Sequence, residues 1–246
     1  MAKSVLPSAV RPPPAAISVS NRLLSGLPAD DLQRLLPDIE IIATKPKQMI
    51  HKHGEAVRHV YFPNGGVCSI TTVMRDGAMV EVATVGDEGM VGVTAFLGTD
   101  ITPGPAMVQV GSSTAARMTT ASFKREIDRD GALAEALGRY SQALIATMMQ
   151  SVACNTLHHV QERCARWLLT THDRMHSDRF ELSHEFLAIM LGVRRPTVTI
   201  VAGALQRAEL IQYRHGRITV LDRKGLEKAS CECYSTIRGH FARLRL

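Results

Sequence analysis

The period of the apolar positions changes along the chain, and each change marks a new part. Residues 21–36, Asn21-Arg-Leu-Leu-Ser-Gly-Leu-Pro-Ala-Asp-Asp-Leu-Gln-Arg-Leu-Leu36, read as one or two short amphipathic helices around Pro28. From Ile39 to about Met118, short apolar runs are punctuated by turn signals at Gly54-Glu55, Pro63-Asn64-Gly65-Gly66, Asp76-Gly77, Gly86-Asp87 and Gly111. They predict strands over Ile39–Ala43, Val57–Phe62, Val67–Val73, Ala78–Val85 and Ala106–Val110. Strands this short and this evenly spaced suit a small antiparallel barrel or sandwich. Asp76-Gly77, between two alternating runs, is the best hairpin signal. From Ser122 the helical period returns. Leu133, Leu137, Tyr140, Leu144, Met148 and Val152 then form one long stripe on a helix from Asp130 to Cys154, with a joint at 155–157 and a further helix from His158 to His176.

The most specific stretch is 183–205. Ser183 is a good N-cap, because its hydroxyl can take a free amide of the first turn. Leu187, Ala188 and Leu191 give an apolar face, and Gly192 supplies the left-handed residue that ends a helix sharply. A second helix starts at Arg194 or Arg195. Pro196 is tolerated there because a first-turn amide has no intrahelical partner to lose. Val198, Val201 and Leu205 form its buried side, and small Ala188 lets the two helices cross closely. The pattern is that of a helix-turn-helix, with two arginines where the second helix would enter a groove. Beyond it, Leu210–Arg214 and Arg217–Leu221 alternate across His215-Gly216 and predict a two-stranded wing. Asp222 caps a last helix reaching past Tyr234, with Arg238, Arg243 and Arg245 near its end. The long stripe at 133–152 could lie in a core or pair with a partner. Self-pairing into a homodimer is preferred, since a DNA reader gains affinity by doubling its contacts.

Composition supports this picture without defining it. The chain has 246 residues and a formal net charge of +6, with the basic excess gathered in 194–228, which favours an anionic partner. No run of about 18 apolar residues is present, so no transmembrane span is expected. Residues 1–20 contain Pro12-Pro13-Pro14 and no apolar h-region, and are expected to be a flexible leader rather than a signal peptide. Five scattered cysteines suit reduced thiols in a cytoplasmic protein.

A small β-roll, a long helix and a winged helix-turn-helix, in that order, resemble the Crp/Fnr family of bacterial transcription regulators. The residues that carry the resemblance include His53-Gly54-Glu55, the Tyr61 to Val67 strand-turn-strand, Gly86-Asp87 and 162–169. The strongest block comprises Leu187-Ala188, Leu191-Gly192-Val193, Arg195, Thr197-Val198, Leu205, Leu210-Ile211 and Gly216-Arg217-Ile218. The resemblance implies an α+β chain with a leader at 1–20, a cyclic-nucleotide-binding-like β-roll at 21–128, a dimerisation helix at 129–156 and a winged helix-turn-helix at 157–246. It implies a homodimeric, sequence-specific regulator that binds double-stranded DNA at an inverted repeat, with RNA polymerase as a further partner and no membrane. The recognition helix would span 194–207, and the β-roll would set DNA affinity. The competing reading is a ligand- or redox-sensing protein of the same fold with weak or lost DNA binding, for which Pro196 is the warning sign.

The departures from the family pattern bear most on function. Cyclic-AMP-binding members carry Gly-Glu-Leu and, further on, Arg-Ser-Ala, whose Glu and Arg hold the ribose and the cyclic phosphate. Here the matching positions are Gly92-Val93-Thr94 and Pro105-Ala106-Met107, and Met148 and Met149 stand where hydroxyl residues would meet the base. A buried phosphate without its cation would cost several kcal/mol, so cyclic AMP is not expected and no cofactor is predicted. The expected effector pocket is apolar: Gly92, Val93, Thr94, Pro105, Ala106, Met148 and Met149. It could take an apolar or differently charged effector, or be filled by its own side chains.

No Cys precedes Cys68, unlike the iron–sulfur branch, and Cys68, His51, His53 and His59 have no haem-ligand spacing. Cys231 and Cys233 are expected on a helix, pointing to different sides, and His158-His159 reads as a helix start, so no metal is expected. Nothing pairs a nucleophile with a base, and no enzyme activity is expected. The expected DNA-binding residues are Ser183, Arg194, Arg195, Thr197, Thr199, Arg207, Arg214 and Arg217. Arg195 matches the family's guanine-reading arginine, whereas Pro196 replaces its glutamate and Ile200 stands where many members place another Arg. Arg207, Arg214 and Arg217 are either phosphate clamps or solvated charges.

Overall fold

The computed structural model describes residues 19–243. The expected leader lies outside them except for Val19 and Ser20, and Arg245 also lies outside. Those two residues are held: Val19 packs on the core, and the Ser20 amide donates to the Asn64 side-chain oxygen at 3.1 Å.

Two short helices open the fold, α1 (Arg22–Ser25) and α2 (Ala29–Leu35). Asn21 caps α1 with its side-chain oxygen, while its amide donates to the Pro63 and Gly89 carbonyls. Seven strands follow: β1 (Glu40–Thr44), β2 (Met49–His51), β3 (His59–Pro63), β4 (Val67–Val73), β5 (Met79–Val85), β6 (Ala106–Val110) and β7 (Ser113–Thr119). They form two antiparallel sheets, ordered β1-β7-β3 and β2-β6-β4-β5. The expected hairpin at Asp76-Gly77 joins β4 to β5, with Gly77 at φ +84°. Sequence patterning missed β2, which is three residues long, and β7, the centre of its sheet. Ser-Thr-Ala-Ala-Arg-Met-Thr has no Val, Ile or aromatic residue and only Thr114 and Thr119 as β-branched strand formers, and its neighbours on both sides recruit it.

Helix α3 (Thr120–Ile127) leads to α4 (Ala132–Leu157), 26 residues long and so three residues longer at its C-terminal end than expected. The α4 stripe needs a correction. Leu133, Leu137, Tyr140 and Leu144 are buried in the chain's own core against the β-roll, Met148 is half-buried there, and Tyr140 donates to the Met90 carbonyl at 3.1 Å. A helical period reports a buried face without saying what buries it. The apolar residues that α4 leaves bare are Ile145, Met149, Val152 and Leu157, the last three at 69, 69 and 76 % exposure. Of the six expected dimer residues, only Val152 belongs to that exposed row.

Helix α5 (Val160–Met175) begins the C-terminal part, followed by β8 (Arg179–Glu181), α6 (His184–Leu191), α7 (Arg195–Arg207), β9 (Ile211–Arg214), β10 (Arg217–Val220), α8 (Arg223–Ala229) and α9 (Cys233–Ala242). Its core gathers Trp167, Leu168, Leu187, Leu191, Val198, Leu205, Ile218 and Leu226. The short break at His158-His159 separates α4 from α5: His158 caps the end of α4 and His159 opens α5 in a capping box with Glu162. Cys231 precedes α9 and Cys233 is its first residue, so these thiols are not splayed by a helix as expected, and with Cys154 they form one buried cluster.

The two parts meet across a polar joint. Arg174 of α5 makes a buried ion pair with Glu88, just past β5, and bonds to Thr84. A Cβ on Gly86 would stand 2.6 Å from the Arg174 side chain, so glycine is what lets that arginine through. Trp167 donates its indole N–H to Glu81 at 2.9 Å, and Met190 of α6 rests on Ser69. No single helix is long and apolar enough to cross a membrane among the described residues.

Candidate nucleic-acid interface and effector cavity

Helices α6 and α7 are bent by 102° relative to each other. Ser183 caps α6 by accepting from the Phe186 amide at 3.2 Å, a contact worth about 1 kcal/mol in general. Gly192 ends α6 at φ +62°, a conformation that costs a side-chain-bearing residue. Pro196 sits in the first turn of α7 without losing a helix bond. Val198, Val201 and Leu205 face the core. The opposite face of α7 presents Arg194, Arg195, Thr199 and Ile200 to solvent, with Thr197 half-buried and Arg207 exposed at the far end. Arg195 can therefore reach a groove without rearrangement of the chain.

Two expected contacts are partly committed. The Ser183 oxygen already serves as the cap. Thr199 donates to the Arg195 carbonyl at 3.3 Å and lies 3.2 Å from His184 Nδ1. His184 stacks on Tyr213 at 4.3 Å, and burial, then the nearby Arg195, hold it below the usual histidine range. Gln206 accepts the Tyr213 amide at 2.8 Å, tying the wing to α7.

The wing turns at His215-Gly216, both at positive φ, as a two-residue hairpin requires. It has a third strand that the sequence reading missed. Strand β8 pairs with β10, placing Arg179 opposite Thr219 and Glu181 opposite Arg217. The polar–apolar alternation of Arg179-Phe180-Glu181-Leu182 was the available signal. An open groove on this sheet is lined by Arg179, Gln212, Arg214, His215, Arg217 and Thr219. Arg217 pairs with Glu181 at 3.1 Å on the surface, so a phosphate would compete with that carboxylate.

In the β-roll, a cavity of about 170 Å³ opens between the sheet and α4. Gly92, Val93, Thr94, Ala106 and Met148 line it as expected, with the turn at Gly92 (φ +99°) leading into a short 3-10 turn, Val93–Ala95. Pro105 and Met149 do not line it. Pro105 accepts from Thr71 with its carbonyl, and Met149 projects from the outer side of α4. Sequence reasoning missed His51, Ile70, Thr102, Ser141 and Leu144, which arrive from separate segments. The wall is almost wholly apolar and holds no Arg or Lys. His51 bonds the His59 carbonyl and is held below its ordinary value chiefly by burial, while the hydroxyls of Thr102 and Ser141 are buried without protein partners.

A β-roll with a cavity against its long helix, joined to a winged helix-turn-helix with bare arginines, is the architecture of a transcription regulator that binds DNA. Residues 42–130 match the cyclic nucleotide-binding domain and residues 162–229 the Crp-like helix-turn-helix domain. The chain belongs to the Crp/Fnr family of DNA-binding transcription regulators. Its fold is similar to that of a CRP-family transcriptional regulator from Thermus thermophilus, at 21 % identity and a TM-score of 0.63, over 77 % of this chain and 96 % of that one. It is similar also to the c-di-GMP-responsive global regulator CLP of Xanthomonas campestris, at 15 % identity and TM-score 0.62, over 78 % and 99 % of the two chains. FixK2 of Bradyrhizobium japonicum aligns at 16 % identity and TM-score 0.62, over 78 % and 98 %. A comparison with curated proteins gave no match.

Proposed function

We propose that the protein acts as a cytoplasmic homodimer that reads an inverted repeat with α7 in the major groove and the wing on flanking phosphates. The exposed Arg195 at the first position of α7 carries this reading. An arginine there can bond guanine O6 and N7 together, for about 1–3 kcal/mol of discrimination. Arg194 reaches a neighbouring base or phosphate, and Arg179, Arg214, Arg217 and Arg207 neutralise the backbone. With Pro196 and Ile200 in place of the family's usual polar readers, the half-site differs from the common one.

The exposed row Ile145, Met149 and Val152 supports pairing of α4 with its copy, since an apolar row on a long helix is covered at little cost by the same row related by a two-fold axis. The cavity supports an effector that is apolar or uncharged, oriented by the Thr102 and Ser141 hydroxyls. Cyclic AMP does not suit it, because no cation lines the wall to meet a phosphate. Recruitment of RNA polymerase, rather than catalysis, is the output.

Selection of duplexes from a random pool by the purified protein, without effector and at two salt concentrations, tests the reading. The expected product is an inverted repeat with half-sites about one helical turn apart, bound with a steep salt slope. Binding without sequence preference, retained in Arg195→Ala, would show a protein of this fold that has given up specific DNA recognition.

A further inference from the structure

We propose that Cys154, His158, Cys231 and Cys233 form a Cys3His site for one zinc ion at the hinge between the long helix and the DNA-binding part. The four donor atoms lie within 4.8 Å of one another, and among the described residues this is the group that could hold a metal. Cys154 and His158 stand one turn apart at the end of α4. Cys231 and Cys233 come from the start of α9, more than seventy residues on. The spacing is that of a coordination shell. Cys154 Sγ and Cys231 Sγ are 3.6 Å apart, and Cys233 Sγ is 3.5 Å from His158 Nδ1. Tetrahedral zinc with its usual bond lengths needs separations of about 3.8 Å between sulfurs and about 3.6 Å between sulfur and nitrogen. The sulfurs are far too distant for a disulfide bond, which needs about 2.0 Å.

The surroundings complete the site. His158 Nε2 meets a Glu232 carboxylate oxygen at 3.1 Å, which fixes the tautomer that leaves Nδ1 free to bind. Gln150 donates its amide N–H to Cys233 Sγ at 3.0 Å, a contact suited to a thiolate. All three thiols are buried, so they are shielded from bulk oxidants. Three thiolates and one divalent ion carry a net charge of minus one. The guanidiniums of Arg163 and Arg166 lie close enough to Cys154 to offset it, and each has a buried Nε without a protein partner. Binding sends the protons of three thiols to solvent, and nothing is oxidised or reduced. Soft sulfur donors in a closed tetrahedron favour zinc over hard cations. The ion would pin the last helix of the DNA-binding part to the end of α4, beside the His158-His159 break.

Elemental analysis of the full-length protein, purified with a thiol reductant and without a histidine tag, should find one zinc per chain. Cys233→Ser and His158→Gln should lower that to a small fraction, and Cys164→Ala, whose thiol lies apart from the cluster, should leave it at one. A measurement on the wild-type chain avoids dependence on variant folding. Metal-stripped protein titrated anaerobically with cobalt(II) should saturate at one equivalent, with the d–d and sulfur charge-transfer absorption of a tetrahedral thiolate site. Three results would overturn the site: a featureless cobalt titration with no bound zinc, full metal retention in Cys154→Ser/Cys231→Ser, or a Cys154–Cys231 disulfide in protein kept anaerobic. Iron and sulfide in place of zinc would overturn the choice of ion.

Discussion

The recognition face and the β-roll cavity are built on opposite physical terms. The face is open and cationic, with Arg194 and Arg195 bare at the start of α7 and Arg179, Arg214 and Arg217 on the wing. The cavity is recessed and apolar, with two unpartnered hydroxyls and no Arg or Lys. Binding at the first surface falls steeply with salt, because each phosphate contact releases counterions. An apolar wall of the second kind takes up a ligand by burial and shape, terms that salt hardly touches. Two sites so unlike in chemistry can influence one another only through what is packed between them. One such element is the joint where Arg174 meets Glu88 and Thr84, Trp167 meets Glu81, and Met190 meets Ser69; the other is α4, which lines the cavity and meets α9 at its end.

Breaking the joint should have the largest effect. Arg174→Met leaves the Glu88 carboxylate buried and unpaired, and losses of this kind run to about 3–5 kcal/mol. Chemical denaturation should show that loss, and Arg174→Met/Glu88→Leu should recover most of it by removing both charges. A cost below about 1 kcal/mol in the single variant would mean that the joint is held elsewhere.

The two sides of the DNA face can be separated next. Arg195→Ala should weaken binding to the selected site by about 1–3 kcal/mol and relax preference at one position of each half-site. Arg179→Ala should weaken all sequences alike and reduce the salt slope by about one. If Arg179→Ala leaves the slope unchanged, the wing's third strand stays off the DNA.

These two surfaces also differ in how well the chain announces them. The helix-turn-helix is local: Ser183, Ala188, Gly192, Pro196, Val198 and Leu205 fall within twenty-three residues, each with a backbone or packing role that residue type alone reveals. The wing turn at His215-Gly216 is equally local. The cavity is assembled from distant pieces. Its Gly92 to Thr94 turn was found by likeness to the family, whereas His51, Thr102 and Ser141 converge only once two sheets and a helix have packed. The α4 stripe shows another limit. Leu133 to Leu144 have the right period for burial, yet period cannot tell a partner's core from the chain's own. For the cysteines, the single helix expected from Asp222 past Tyr234 is broken at 230–232, between α8 and α9. With Cys231 outside α9, the thiols converge where a continuous helix would have spread them.

The smallest expected effect concerns Glu81, which faces the DNA-binding part from β5. It accepts from the Ser69 hydroxyl at 2.8 Å and from the Trp167 indole at 2.9 Å, with Arg166 and Arg174 near enough to favour its charged form. Burial outweighs them and pushes its carboxyl up to about 7, from an ordinary value of 4.5. Because the folded value lies above the unfolded one, its contribution to stability is complete below about 4.5. It is lost as pH rises to 7, where the folded joint must carry a buried charge. Glu81→Gln keeps an acceptor for Trp167 and cannot ionise. Thermal unfolding of both proteins from pH 5 to 8 should therefore show curves that separate as pH rises, with the variant ahead at pH 8. Parallel curves would place the pH dependence of the joint outside Glu81.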